Sequence, residues 1–266
     1  MSLPSMYAAA SGMKAAETQL NVISNNLANI NTVGYKKDRA NFEDLMYRHT
    51  VAPGTKTSGG EPSPTGVSLG LGVKTSSTQT NFSQGTPDVS GNPLDMAIEG
   101  RGFFKVTDPN LGTVYTRAGN FDRNADGKLV LGTATAGKLL DPEITIPPDA
   151  TKISVSSDGT IIYLQPGQTT FTSVEGPKLT LFTNPDGLLK LGDNLYAETE
   201  ASGTGVEATP GQEGAGKILG GMLEKSNVEP VEELIGLITT QRAFELNSQA
   251  VQAGDQILQL VSNLRR

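Results

Sequence analysis

The stretch Met6–Ile30, MYAAASGMKAAETQLNVISNNLANI, decides the fold of this 266-residue chain, because its apolar and small residues recur in steps of three and four. The recurring residues are Met6, Ala9, Met13, Ala16, Leu20, Ile23, Leu27 and Ile30. Such spacing over more than three heptads predicts a helix that pairs with another helix. We expect it to end at Gly34, because glycine commonly follows the last turn of a helix.

A second helix is predicted at the other end of the chain. Pro230 followed by Glu232 and Glu233 is typical of a helix start, because proline fits the first turn and carboxylates favour the positive end of the helix dipole. The first apolar row that follows is Ala243, Leu246, Ala250, Ala253, Ile257, Leu260 and Leu264, and the second is Leu237, Phe244, Val251 and Leu258. This apolar face is wider than one helix partner can cover, so we expect it to contact more than one.

We predict that the two terminal helices pair antiparallel, with facing residue numbers that add up to 273. In this register Ile23 faces Ala250, and five of the seven layers set an alanine against a large aliphatic residue. Alternation of small and large residues lets helices approach closely and still fill the space between them. A shift by one heptad places Ala16 against Ala250 and Leu20 against Leu246, which leaves one layer underfilled and another crowded.

The middle of the chain carries a β pattern. Residues 47–64 are rich in Gly, Pro, Ser and Thr, which is typical of a flexible linker. Beyond it, turn signals such as Asp126-Gly127 and Asp158-Gly159 separate short strands. The predicted strands are 103–107, 113–117, 153–156, 160–164 and 179–182. The predicted fold class is therefore α+β: a mainly antiparallel β middle domain with N- and C-terminal α-helices that form an antiparallel coiled coil.

Four segments follow from these patterns. They are an N-terminal assembly helix (1–35), an extended Gly/Pro-rich linker (36–71), a β-rich outer domain (72–223) and a C-terminal assembly helix (224–266).

Composition argues against several classes of function. The net charge is −7 and no basic cluster stands out, which disfavours nucleic-acid binding and anionic membranes. The chain has no cysteine, so disulfides and thiolate chemistry are excluded. No stretch has the length of a transmembrane helix, so direct membrane insertion is not expected. The first twenty residues lack a basic start and a continuous apolar run, so we expect no cleaved secretory signal.

No residues form a convincing catalytic or metal site. Residues 122–127, DRNADG, resemble the start of a calcium loop, but Thr133 stands where the twelfth-position glutamate belongs, so a polar turn is the better interpretation. The glycines of Gly100-Arg101-Gly102 precede a strand, unlike a dinucleotide loop. His49, the single histidine, lies in the polar linker without metal-binding partners. We therefore predict no enzyme activity, no cofactor and no metal.

Several blocks together resemble the flagellar rod and hook protein family. They are 24–36 (SNNLANINTVGYK), 91–104 (GNPLDMAIEGRGFF), 115–121 (YTRAGNF), 224–228 (EKSNV) and 241–245 (QRAFE). The distal-rod branch is the best match, supported by Phe42-Glu43-Asp44-Leu45 and Asn194-Leu195-Tyr196, and the proximal-rod and hook branches are the alternatives. Residues 133–138 are less regular than the hairpin that the family has there.

The resemblance implies a structural subunit of the basal-body distal rod, a helical tubular drive shaft that transmits torque to the hook. It implies export through the flagellar apparatus without a cleaved signal, and a periplasmic location. The implied partners are further copies of the chain, proximal rod proteins, hook-side axial proteins and the surrounding outer rings. The apolar rows fit this function, because head-to-tail contacts that do not close build a filament. A secreted hydrolase and a monomeric β-domain adhesin remain as alternatives from other classes.

Overall fold

The computed structural model describes residues 3–55, 64–132, 137–168 and 170–264. Helix α1 spans Leu3–Ala28 and helix α2 spans Pro230–Leu264. The chain divides into two compact units, which we call the helical unit (1–28, 38–79 and 229–266) and the β unit (29–37 and 80–228). The N-terminal helix, the C-terminal helix packed against it and the antiparallel strands between them confirm the α+β fold class.

The helical unit also contains two pairs of strands. They are β1 (Asp38–Asp44), β2 (Tyr47–Val51), β3 (Val67–Gly70) and β4 (Val73–Thr80), paired as β1 with β4 and β2 with β3. The Leu45 N–H donates to the Gly72 carbonyl at 2.8 Å, which joins the two pairs into one ribbon. Part of the predicted linker is thus a strand, with His49 exposed on β2. The linker residues 56–63 lie outside the described part of the chain.

Helix α1 ends at Ala28, six residues before the predicted end at Gly34. Polar side chains explain the earlier end: the Thr32 N–H donates to the Asn29 carbonyl, and the Thr32 hydroxyl contacts Asn29 Oδ1, both at 3.1 Å. Asparagine and threonine stabilise such turns in competition with the helix. Gly34 has φ +69°, and a Cβ there would lie 2.6 Å from the Ala118 nitrogen, so only glycine fits. Ile30, predicted on the helix, therefore lies outside it.

The β unit is built from short strands. The first are β5 (Pro87–Val89), β6 (Met96–Glu99), β7 (Phe103–Asp108), β8 (Gly112–Thr116), β9 (Phe121–Arg123), β10 (Leu129–Leu131) and β11 (Leu139–Leu140). The others are β12 (Lys152–Val155), β13 (Ile161–Leu164), β14 (Thr172–Val174), β15 (Leu179–Leu181), β16 (Leu189–Gly192), β17 (Leu195–Ala197), β18 (Val206–Ala208), β19 (Lys217–Gly220) and β20 (Met222–Glu224). The five predicted strands match β7, β8, β12, β13 and β15 to within one residue at each end.

One large sheet carries the core of the β unit. Its strand order is β16-β17-β8-β7-β11-β10-β9, with β15 paired to β7 and β18, and smaller groups are β12-β13-β14, β6-β19 and β5-β20. Successive side chains of β7 point to opposite faces. Phe104 therefore packs in the main core with Phe121 and Ile98, while Phe103 packs with Tyr115 and Phe182 on the other face. Val130 pairs with Leu139 on either side of residues 133–136. Those four residues, which include Thr133 and most of the segment predicted to be irregular, lie outside the described part of the chain.

The segment that resembles a calcium loop is a polar turn. Asn124 Oδ1 accepts from the N–H groups of Asp126 and Lys128 at 3.0 and 2.9 Å, and Gly127 adopts φ +79°. Among the residues that the structure describes, no three His, Asp or Glu side chains converge as metal ligands would.

Candidate assembly interface

Helices α1 and α2 pack against each other in antiparallel orientation, as predicted. Asn26 Nδ2 lies 3.4 Å from Glu233 Oε1 near one end of the pair. Towards the other end, a Cβ on Gly12 would lie 2.9 Å from Asn247 Nδ2. As the residue numbers increase along α1, the numbers of the residues that face them on α2 decrease, so the two helices are antiparallel.

The predicted register of this pair is wrong. The contacts of Asn26 with Glu233 and of Gly12 with Asn247 both correspond to residue numbers that add up to 259, as does the contact of Ile23 with Gly236. The helices are thus displaced by two heptads from the register that sets Ile23 against Ala250. The predicted register would leave the first four turns of α2 without α1 beside them, whereas the observed one sets the end of α1 level with the start of α2.

The predicted interface residues fall into distinct environments. On α1, Ala9, Ala16 and Ile23 are buried, and Met6, Met13, Leu20 and Leu27 are half-buried; Ile30 is half-buried in the β unit. On α2, Leu237, Ala250, Val251 and Ala253 are half-buried, and Ala243, Phe244, Leu246, Ile257, Leu258 and Leu260 are exposed. The side chain of Leu264 lies outside the described residues. The observed contacts therefore leave most of the predicted first row of α2 open to solvent.

A further apolar surface on α2 was not predicted from the sequence. Val231, Leu234, Ile235 and Ile238 recur at helical spacing and are exposed, with Val231 68% and Ile235 57% accessible. At the opposite end, Leu260 is 63% accessible, because the register sets Leu3 level with residue 256 and residues 257–264 continue past α1. This extension is about 12 Å long at the usual rise per residue. Such exposed apolar rows mark surfaces that another molecule covers.

Asn26 is a deeply buried polar residue of the helical unit, at 1% accessibility. Its Nδ2 donates to the Asp38 carbonyl and its Oδ1 accepts from the Asp38 N–H, each at 2.9 Å. The same amide also contacts Glu233 on α2. One side chain thus holds together α1, the start of β1 and α2. Its place inside the block 24–36 is the signal that could have drawn attention to it.

The β unit contains a buried ion-pair cluster that the sequence analysis also missed. Glu224 accepts from Lys36 Nζ at 2.6 Å, from Gln84 Nε2 and the Gly85 N–H at 2.9 Å, and lies 3.3 Å from Arg117 Nη1. Lys36 and Glu224 are fully buried and Arg117 is nearly so. Burial lowers the pKa of Lys36, the nearby Arg117 lowers it further, and Glu224 acts in the opposite direction. One carboxylate therefore balances two buried cations.

This cluster joins the chain segments that lead away from α1 and towards α2. The Gly34 N–H donates to the Glu224 carbonyl and the Lys37 N–H donates to Asn227 Oδ1, both at 2.8 Å. Asn227 Nδ2 in turn donates to the Asn81 carbonyl at 2.8 Å. Within the β unit, the two segments that adjoin the helices are thus fixed side by side.

Among the described residues, neither helix is long and apolar enough to cross a membrane.

Three family models match consecutive parts of the chain. A flagella basal body rod protein model matches residues 6–36, a flagellar hook protein FlgE/F/G D1 domain model matches residues 97–163, and a flagellar basal body rod FlgEFG C-terminal model matches residues 219–264. The first and third cover most of α1 and α2, and the second covers the first half of the β unit.

Curated relatives extend the similarity to the whole chain. The flagellar basal-body rod protein FlgG of Caulobacter vibrioides is 44% identical over 99% of this chain and 100% of its own length. FlgG of Bacillus subtilis is 40% identical over 99% of this chain and 100% of its own length. FlgF of Caulobacter vibrioides is 36% identical over 90% of this chain and 89% of its own. Within one organism, the similarity to FlgG is thus greater than that to FlgF.

Proposed function

Because the chain belongs to the flagellar basal-body rod protein family, in its FlgG branch, we propose that it is a structural subunit of the distal rod that polymerises through its terminal helices. The resulting helical tube transmits torque to the hook. The greater identity to FlgG than to FlgF within one organism supports the distal over the proximal rod.

The apolar surface of α2 is the observation that carries this proposal. Leu246 is 66% accessible, and Val231 and Ile235 are exposed as well. Burying one such side chain contributes roughly 1.5–3 kcal/mol. These side chains lie outside the face that α1 covers, so neighbouring molecules are needed to bury them. Further copies of the chain supply those neighbours through contacts that do not close on themselves.

The interface residues proposed for this assembly are those predicted from the sequence. Among them, the exposed residues of α2 make most of the contacts with other copies. Leu246, Ile257 and Leu260 are exposed and face neighbouring copies, whereas Ala243 is exposed but lies level with Ala16 of α1 in the observed register. The buried Ala9, Ala16 and Ile23 act within the chain by holding α1 against α2. The role is structural, without catalysis.

The cellular setting follows from membership of the family. Rod subunits lie in the basal body, and we extend this to a periplasmic position reached through the flagellar export apparatus without a cleaved signal. The proposed partners are further copies of the chain, proximal rod proteins, hook-side axial proteins and the outer rings that surround the rod.

Electron microscopy of the purified chain at high concentration tests the proposal. The unaltered protein should form tubular filaments, and Leu246→Glu should abolish them because each contact would bury a charge. Gln212→Glu, which adds the same charge at an exposed position of the β unit, is the matched control and should assemble. Filaments of normal appearance from Leu246→Glu would contradict assembly through this face.

A further inference from the structure

The apolar pattern of α1 and α2 does not by itself choose how the helices are aligned. Apolar residues recur about every seven positions on both helices, so registers one heptad apart all place them in the seam. The register in which facing numbers add up to 273 fills the layers well, yet the helices adopt the one at 259. The filling of layers by apolar side chains therefore does not settle the alignment.

Small or polar residues face each other at regular intervals in the observed register. Four levels, each one heptad apart, share this character: Ser5 with Gly254, Gly12 with Asn247, Gln19 with Thr240, and Asn26 with Glu233. The contacts at the second and fourth levels are direct. The other seam positions of α1 are Ala9, Ala16 and Ile23, which are buried. The seam thus alternates a polar or small layer with an apolar one.

Asn26 is the member of this set whose side chain is anchored outside the helix pair. Both polar groups of the side chain are bonded to the Asp38 backbone at 2.9 Å, which holds this part of α1 beside the start of β1. A slip of one heptad would carry Glu233 about 10 Å away along the helix axis. Buried polar groups that lose a partner destabilise a fold, and a polar pair in a helix seam is known to select one register at some expense of stability.

We infer that Asn26 and Glu233 are positioning residues that select the register of the helix pair. The register in turn determines that residues 257–264 extend past α1 and which rows of α2 stay open. That consequence for assembly rests on the proposed function, whereas the choice of register does not.

Disulfide cross-linking measures the register directly, because the chain has no cysteine of its own. With Asn247→Cys as the common partner, Gly12→Cys reports the observed register. Gln19→Cys and Ser5→Cys report slips of one heptad in either direction. Two cysteines form a disulfide only when their Cα atoms are within about 7 Å, so a slip is resolved clearly. Each full-length double variant is oxidised at low concentration, and the intrachain product is quantified by mass spectrometry.

Glu233→Leu is the decisive variant, because it removes the partner on α2 and leaves the bonds between Asn26 and Asp38 in place. We expect the product of one slipped pair to rise about tenfold relative to the Gly12 pair, as expected for the loss of a hydrogen bond to a charged group. Glu233→Gln keeps the acceptor and should behave as the unaltered chain. Glu245→Leu, on the exposed surface of α2, is the matched control and should leave the ratio unchanged.

Two results would overturn the inference. One is cross-linking of Glu233→Leu through the Gly12 pair alone, which would mean that chain connectivity or packing holds the register. The other is loss of the helical circular dichroism signal in Glu233→Leu, which would assign the residue to stability. Cross-linking is measured within single chains and does not depend on assembly. If the cross-linking results are as expected but the chain never forms filaments, the proposed function is contradicted and the inference about the register is not.

Discussion

Replacement of Glu224 by glutamine is expected to destabilise the β unit strongly. The substitution keeps the shape of the side chain but removes the carboxylate that contacts both Lys36 and Arg117, which are buried. It also sets an amide NH₂ against a donor in either orientation, because Oε1 accepts from Lys36 Nζ, Gln84 Nε2 and the Gly85 N–H, while Oε2 lies 3.3 Å from Arg117 Nη1. Breaking a buried ion pair by removing one partner costs about 3–5 kcal/mol. Typical domains have a total free energy of unfolding of about 5–15 kcal/mol.

Urea unfolding followed by tyrosine fluorescence measures this effect, because the chain has six tyrosines and no tryptophan. The midpoint for Glu224→Gln should fall by about 1 M urea or more, if the slope is near the upper end for small proteins. Glu207→Gln is the matched control: Glu207 contacts Lys105 at 2.8 Å but is 46% accessible, so its loss should matter far less.

Adding Lys36→Met to Glu224→Gln tests the cause. This second change removes one of the uncompensated cations, so it should recover part of the lost stability through coupling between adjacent sites. Equal midpoints for Glu224→Gln and Glu207→Gln would refute the reasoning, and so would a double variant less stable than expected from the two single changes.

Three further outcomes are expected. Burial lowers the pKa of Lys36 below its usual 10.5, so the unfolded chain binds more protons than the folded chain between the two pKa values. In that window this residue makes stability rise with pH, and the rise should vanish in Lys36→Met; identical urea-midpoint profiles below pH 10.5 in both proteins would contradict this. The terminal segments 1–34 and 230–266 should exchange amide hydrogens faster in the dilute free chain than in filaments, since assembly covers their apolar rows; full protection of both ends in the free chain would count against this. Strand β2, which belongs to the segment 47–64, and its exposed partner strand β3 should exchange amide hydrogens more slowly after assembly because neighbouring copies pack on them. Equal exchange rates in the free chain and in filaments would refute that.

The helices could be predicted from the sequence because their pattern is local. Spacings of three and four residues, Pro230 and the acidic first turn of α2 each act within a few residues, and the structure has both helices in the predicted orientation. The end of α1 was missed because Asn29 and Thr32 form a turn that the apolar pattern does not reveal. The register was missed because apolar packing has several near-equivalent solutions, and the polar contacts that distinguish them involve residues that an apolar pattern leaves out.

The buried cluster could not be predicted from spacing at all. Lys36 and Glu224 are 188 positions apart, and Arg117 lies 107 positions before Glu224. Each charge taken alone is typical of a solvated surface, and only the folded sheet brings the three together. The family blocks that contain them, 24–36, 115–121 and 224–228, indicated that these segments matter without indicating their contacts.

The unequal lengths of α1 and α2 give the helix pair a direction. At one end both helices finish level, since Ala28 lies beside the start of α2, and at the other end α2 continues for eight residues beyond the level of Leu3. In a stack of identically oriented copies, these extensions of α2 therefore all point in the same direction. Molecules that meet the two ends of such a stack face different shapes and different chemistry, so the stack can grow and be terminated by different partners at each end.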